Sequence, residues 1–559
     1  MIIDARSIDS SSIIESDLCI VGAGAAGIAI ALEFMKKSDV SVVLLESGGE
    51  KLDPATQSLN GGHQLGVAYD DLEASRSRFL GGATNCWGGW CRPLDELDFQ
   101  VRDWIPNSGW PFGKAELLPY YERSHAVLQL KPFAYDVSAH ADLLKERGLA
   151  PLPLGSKRLD NMLVHLSGPA RFGKAYRDQL RRASNVKLLL MANATEICTD
   201  HAGTNVTGVR VATLSGKKFS VMAKIVVLAA GGIENPRLLL LSNQVQTKGL
   251  GNGADLVGRY FMDHPRIRSS RVRLEDLRRF RRLYDNQVAL QRGDKQDTRL
   301  TMHLAPTAET QRALRIPNSR TYIAQRYAQD ASKGFQAARR FTLAVRACVR
   351  FGRPLGACAK EAARTIPTLI ANAPAAAIGS VAVRHKPSLL REDFSFESVL
   401  EPIPNYDSRV TLAPTRDRLG LNQVNVDWRL TDADRRHFDI LCELLNKDAL
   451  TRDGLHLVGD PVSTDTVWPS KLGGCWHHMG TTRMDANPAK GVVGPDGRVH
   501  GISNLFIAGS SVFPTSGSDM PTITIVALAL RLCDRLNAML RSESPRRTQL
   551  DLQPSAPMG

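Results

Sequence analysis

Asp17-Leu18-Cys19-Ile20-Val21-Gly22-Ala23-Gly24-Ala25-Ala26-Gly27 is the stretch from which the rest of this chain can be read. Its first five residues form a short apolar run that predicts a buried strand. Three glycines in the spacing G-x-G-x-x-G follow at once and open an Ala/Ile/Leu-rich segment that predicts a helix to Met35. A pyrophosphate needs this strand, tight turn and helix. The glycines permit the turn and the close backbone approach, and the helix N-terminus offers free N–H groups to phosphate oxygens. Val40-Ser41-Val42-Val43-Leu44-Leu45 then predicts a second parallel strand, and Glu46 stands at its carboxyl end. An acid about 20 residues beyond the fingerprint is placed to accept ribose hydroxyls. A glycine-rich helix start that merely packs closely would leave Glu46 unexplained. Gly22, Gly24, Gly27 and Glu46 are therefore assigned to a dinucleotide.

Three further segments stand out. They are Arg78-Phe79-Leu80-Gly81-Gly82-Ala83-Thr84-Asn85-Cys86-Trp87-Gly88-Gly89, the run Val226-Val227-Leu228-Ala229-Ala230-Gly231-Gly232-Ile233-Glu234-Asn235-Pro236-Arg237, and a block from Gly473 to about Leu536. That block contains Gly473-Gly474-Cys475-Trp476-His477-His478-Met479-Gly480 and Ala508-Gly509-Ser510-Ser511. Weaker matches at Leu256 to Pro265 and Pro404 to Val410 fall between them in order. With these segments the chain resembles the glucose-methanol-choline (GMC) oxidoreductases, and among them the branch of sugar and sugar-acid dehydrogenases and pyranose oxidase. The resemblance implies FAD rather than NAD. It also implies a mixed α/β fold: a Rossmann-like FAD-binding domain, discontinuous in sequence, with an inserted β-sheet and helix substrate domain. The expected organisation is 1–265 for the first part of the FAD domain, 266–470 for the substrate domain, 471–541 for the C-terminal part of the FAD domain, and a disordered tail at 542–559.

Moving a hydride from an alcohol carbon to a flavin requires loss of the hydroxyl proton, and imidazole is suited to take it. The resemblance puts that role on His477, three residues before Gly480, with His478 beside it in the substrate pocket. It also places Gly81, Gly82, Asn85, Cys86, Trp87, Gly509, Ser510, Pro521 and Thr522 around the cofactor. Two departures from the family pattern matter. Where the family has a second His or Asn before a proline, this chain has Met520, in Asp519-Met520-Pro521-Thr522. A thioether cannot donate a hydrogen bond, so either Asp519 or Ser518 substitutes or the pocket is altered and Met520 packs near the flavin. Where covalent members link the flavin through a histidine, this chain has Cys86. A thioether link and a small buried hydrophobe are both open readings of that thiol.

The chain of 559 residues is 43% hydrophobic and 23% charged, enough to bury a sizeable core in two or more domains. No apolar run reaches the roughly 20 residues of a membrane span, and Met1 to Ile14 lacks the pattern of a signal peptide. A cytoplasmic enzyme is expected. Nine scattered cysteines without a CxxC pair argue against a disulfide framework or a zinc site, and no metal is predicted. The net charge of +14 is concentrated locally, with eleven Lys or Arg against the single acid Glu361 between Ala331 and Arg391. On a helical projection Phe341, Ala344, Val345, Cys348 and Val349 share one face, opposite Arg339, Arg346, Arg350 and Arg353. A solvated surface helix, a peripheral membrane contact and a dock for an acidic partner or substrate all fit that pattern. Nucleic acid does not, because the basic run lacks interleaved aromatics.

The expected function is FAD-dependent oxidation of a sugar- or polyol-like alcohol, a small molecule, with the electron acceptor undetermined. The alternatives are a redox-neutral lyase on the same scaffold and a flavin subunit docking to a membrane or protein partner.

Overall fold

The computed structural model describes residues 1–69, 71–168, 170–284, 288–290, 298–327, 333–334, 336–338, 340–342, 345, 355–377 and 391–543. The arginine face at Arg339, Arg346, Arg350 and Arg353 lies outside them, as does all but the first two residues of the tail expected to be disordered.

The strand Ile13–Val21 lies at the centre of an eight-stranded sheet. Its last four residues pair in parallel with Val42–Leu45 on one side and with Lys218–Leu228 on the other. Leu18, Cys19 and Ile20 have no solvent exposure, which is why the sequence is continuously apolar there rather than alternating. Beyond Val42–Leu45 come Val186–Leu190 and Ile2–Asp4, both parallel. On the other edge Lys218–Leu228 divides its pairing. Its first half takes the antiparallel strand Val206–Ala212, which pairs onward with Asn193–Thr199, and its end takes Leu505–Ile507 in parallel. Successive connections thus leave Ile13–Val21 in opposite directions, and the crevice this opens at its carboxyl end is where ligands bind in such sheets. Gly22 begins there.

Helix Ala25–Phe34 packs against the long C-terminal helix Thr522–Glu543, which also contacts Lys114–Leu128. Arg123 ties the three together, reaching Glu33 and Asp534, and Tyr121 Oη meets Thr524 Oγ1 at 3.0 Å in the buried contact.

The second sheet is antiparallel, in the order Leu455–Leu457, Arg266–Leu274, Arg391–Leu400, Ser319–Tyr327, Arg299–Pro306, Leu159–Leu166 and Trp90–Cys91. Phe394, Phe396 and the Phe438 face of helix Asp432–Asp448 form its core. This sheet departs from the expected single insert at 266–470. Leu159–Leu166 pairs along its whole length with Arg299–Pro306, and Trp90–Cys91 extends it, so two strands come from the segment assigned to the FAD domain. Neither strand alternates cleanly, because both are mostly buried between neighbours, and no sequence periodicity marks them. A small third sheet joins Arg409–Arg416, Asn422–Trp428 and Gly62–Gly66. No helix among the described residues is long and apolar enough to cross a membrane.

Candidate active site

A cavity of about 840 Å³ runs from the glycine turn to the second sheet. The three fingerprint glycines have different physical reasons. Gly22 has φ +106°, and a Cβ there would sit 2.7 Å from the Ala229 carbonyl oxygen. A Cβ on Gly27 would fall 1.9 Å from Gly22 O, so this glycine serves close packing of helix on strand and does not itself line the cavity. A Cβ on Gly24 meets no atom within 4 Å and would project into open space at the N-cap of helix Ala25–Phe34. A cradle left empty at a helix N-terminus, long enough to run on to a second sheet, fits the pyrophosphate and the extended length of FAD.

Glu46 is 5% exposed and has both oxygens engaged, Oε2 by the Ala23 N–H at 3.1 Å and Oε1 by the Gly48 N–H at 2.9 Å. Burial raises its carboxyl despite these bonds. Gly82, Cys86, Trp87, Gly509, Ser510, Met520, Pro521 and Thr522 line the same cavity, as do His477 and His478. The Cys86 thiol lies 3.4 Å from Ser77 Oγ and from Ala83 O. Gly81 and Asn85 do not reach the cavity. Asn85 Nδ2 donates to Leu80 O at 3.0 Å, closing the loop, and Gly81 supplies a left-handed residue, φ +99°, ahead of it. Asp519 is also absent from the lining. It is fully buried between Arg92 Nε, 3.4 Å away, and Arg320, 3.3 Å away, so it does not substitute for the missing polar group in the pocket.

His477 sits in a loop pinned by Asp263. One carboxylate accepts the backbone N–H groups of Cys475 at 3.2 Å, Trp476 at 2.9 Å and His477 at 2.8 Å. Trp476 takes a left-handed conformation, φ +64°, an uncommon state for a bulky residue that persists where surroundings impose it. Burial pushes the Asp263 carboxyl up to about 6, with the Tyr69 hydroxyl and the three N–H bonds opposing. Tyr69 donates its hydroxyl proton to Asp263, so its oxygen accepts from His478 Nε2 at 3.0 Å. His478 is thereby held against Phe261, ring centroids 5.9 Å apart.

The tautomer of His477 follows from its neighbour. His264 Nε2 lies 2.8 Å from Gly517 O, and a carbonyl only accepts, so the proton of His264 is on Nε2. Burial, with Arg320 adding to it, pushes His264 down to about 3, so its other nitrogen carries a lone pair. His477 Nδ1, 2.8 Å from His264 Nδ1, must then be the donor. His477 Nε2 is left with a lone pair and no protein partner among the described residues. Burial drives His477 far below the ordinary imidazole range, and His264, Arg320, His478 and Arg266 push the same way. The result is a neutral imidazole, fixed at one nitrogen and basic at the other, in the wall of the cavity.

Sequence reasoning did not single out Asp263, His264, Tyr69 or Arg320. The first two lie in the weak segment Leu256 to Pro265, which gave a signal of place but not of role. Arg320 contacts Met520 Sδ through a terminal nitrogen, so a guanidinium stands behind the thioether that replaces the family's polar residue.

Comparison with known proteins agrees with this geometry. The family model described as FAD dependent oxidoreductase matches residues 17–249, and that described as GMC oxidoreductase matches 404–529. The chain is 24% identical to 6'''-hydroxyparomomycin C oxidase of Streptomyces lividus, covering 92% of this chain and 90% of that protein. It is 25% identical to C-glycoside 3-oxidase of Microbacterium trichothecenolyticum, covering 89% and 84%. Among solved structures, formate oxidase superposes with a TM-score of 0.54 at 17% identity, over 96% of this chain and all of that one. Pyridoxine 4-oxidase from Mesorbium loti gives 0.54 at 17%, over 94% and 99%. The fingerprint segment falls within the region matched as FAD dependent oxidoreductase and the histidine-bearing segment within that matched as GMC oxidoreductase, and the tertiary structure brings both to one cavity.

Proposed function

We propose that this enzyme oxidises an alcohol carbon of a sugar- or polyol-like substrate, with His477 Nε2 as the base that takes the hydroxyl proton. The carrying observation is the fixed tautomer. His264 and the Gly517 carbonyl hold the His477 proton on Nδ1, so the lone pair on Nε2 is available without rearrangement. Two relatives that cover 92% and 89% of the chain are named as oxidases of hydroxyparomomycin C and of C-glycosides, which supports a hydroxylated, glycoside-like substrate. Bound FAD, with Gly24 and the helix N-terminus at its pyrophosphate and Glu46 toward its ribose, supplies the two-electron acceptor. Asp263 orders the loop, Tyr69 and His478 close its far side, and Met520 presents an apolar surface where the family's second polar residue stands. Anaerobic mixing with a sugar or polyol should bleach the flavin. Absence of bleaching across such alcohols, with the protein holding its flavin, would overturn the reading.

Two expectations follow from the histidine pair. A base with depressed affinity for protons stays in its active form as pH falls, and it is lost only near its folded pKa. Flavin reduction should therefore be nearly flat from pH 8 to about 6.5, where an ordinary imidazole titrating near 6.5 retains only about half of its basic form, and a fall nearer pH 6 belongs to the Asp263 carboxyl that pins the loop. A tenfold fall centred near pH 6.5 would contradict it. Second, His264→Leu removes the acceptor that fixes the tautomer but leaves His477 in place. Reduction should slow by about tenfold, less than on loss of the base, because only pre-organisation is lost. Stopped-flow reduction with flavin content measured in parallel checks this.

A further inference from the structure

Strands Arg266–Leu274, Arg391–Leu400 and Ser319–Tyr327 turn one face of the second sheet toward the cavity. Directly opposed residues share a face of a sheet. The row Arg268, Glu397, Tyr322 and the adjacent row Arg266, Val399, Arg320 therefore put three arginines and one carboxylate on that face. Arg266, Arg268, Glu397 and Tyr322 line the same cavity as His477.

Glu397 is 3% exposed and accepts from both neighbours, from Arg268 Nε at 2.5 Å and from Arg266 through Nε and one terminal nitrogen. Against the cost of burial, the two guanidiniums hold its carboxyl below the usual range, so it is charged. A structural ion pair needs one guanidinium, and this one has two. A guanidinium carries five donors. Both terminal nitrogens of Arg268 and one of Arg266 have no acceptor among the described residues. The two side chains are 47% and 49% exposed, opening onto the cavity rather than sealed into the sheet. Of the other buried acids nearby, Asp519 is shared by Arg92 and Arg320, Asp393 is paired with Arg271, and Asp263 is taken by Tyr69 and three backbone N–H groups. Two guanidiniums thus share one carboxylate in the wall of the cavity that holds His477, and open N–H donors remain there.

We propose that Arg266 and Arg268 bind an anionic oxygen group of the substrate, a carboxylate or a phosphate, so that the alcohols oxidised here are sugar acids or sugar phosphates. The inference rests on the alcohol-oxidising reading of the His477 site and adds a substrate class to it. A planar fork with free terminal N–H groups suits either oxyanion, and Glu397 keeps both side chains aimed along the sheet rather than into bulk solvent.

The test is equilibrium binding of glucuronate, glucose 6-phosphate and glucose to the FAD-loaded His477→Ala protein, read by quenching of tryptophan fluorescence so that turnover does not intervene. At least one anion should bind tenfold or more tightly than glucose, and the tighter one identifies the group. Adding Arg266→Gln and Arg268→Gln together should bring the three ligands level. Arg268→Lys should keep part of the preference, and Glu397→Gln, which removes the competing carboxylate, should tighten anion binding. Visible flavin absorbance of each variant reports that it is folded. Glucose binding as tightly as both anions, or a preference that survives the double substitution, would overturn the proposal, as would no saturable binding of either anion. Failure of the underlying reading looks different: the anion preference stands, yet none of the three ligands bleaches the flavin of the unmutated enzyme.

Discussion

His477→Ala is expected to slow anaerobic reduction of the flavin by an alcohol by a hundredfold or more, with the flavin still bound. General-base catalysis contributes typically 10²–10⁴-fold, and neither of the two histidines beside it is placed to inherit the role. His478 is its neighbour in sequence, but its Nε2 donates to the Tyr69 oxygen at 3.0 Å, and burial pushes it down to about 3. His264 carries its proton on Nε2 toward Gly517 O and turns Nδ1 to His477 itself. The substitution leaves the loop intact because Asp263 holds the backbone of residues 475–477 and not the imidazole. Retained visible absorbance with slow bleaching is the expected pair of observations. Reduction at the unmutated rate would take the proton from His477 and leave the fixed tautomer without a use.

The second large effect is loss of the cofactor. Gly24→Val should yield folded protein that purifies without flavin. The choice of glycine matters. A side chain at Gly22 would strike the Ala229 carbonyl and one at Gly27 the Gly22 carbonyl, so either change would damage the sheet–helix junction and say nothing about ligand. At Gly24 the backbone is extended, φ −88°, ψ −161°, outside the left-handed region that favours glycine, and a Cβ there meets no protein atom within 4 Å. Losing glycine at an N-cap costs only up to about 1 kcal/mol, small against the stability of a domain. Steric exclusion of a pyrophosphate from its backbone cradle has no such limit. Absorbance ratio of visible to ultraviolet bands in the purified variant, beside a circular dichroism spectrum, checks both halves. A variant holding a full complement of FAD would move the phosphates away from this turn.

The residues proposed for the nucleotide half of the site are legible in the sequence alone. A tight turn, a helix N-terminus and an acid at the end of the next strand are local features, separated by fewer than 30 residues, and each is dictated by backbone chemistry that leaves its mark on residue type. The same holds for His477, because the glycines and aromatics around it form one continuous segment. Sequence could also say that Met520 lacks the polar function usual at its place, since a side chain's donors are fixed by its identity. Departures arose where pairing is long-range. Asp519, read as a pocket residue from its position beside Met520, turns away because Arg92 and Arg320, both distant in sequence, meet it. Asn85 and Gly81 shape the loop instead of lining the cavity, because the Asn85 side chain bonds back to Leu80 O and the Gly81 N–H donates to Ala23 O at 2.9 Å. Leu159–Leu166 joined the second sheet because an eight-residue ladder with Arg299–Pro306 outweighs its place in the chain.

What decides whether His477 is a base lies beyond sequence reach. Its proton is fixed by His264, 213 residues away, and by the carbonyl of Gly517. Its loop is held by Asp263, and its charge state is set by burial and by Arg320. Residue type determines which groups are able to take a proton, and local pattern determines where the backbone must bend. Tautomer, desolvation and surplus charge belong to the folded assembly, because each depends on atoms that only the packed sheets bring within hydrogen-bonding or Coulombic range.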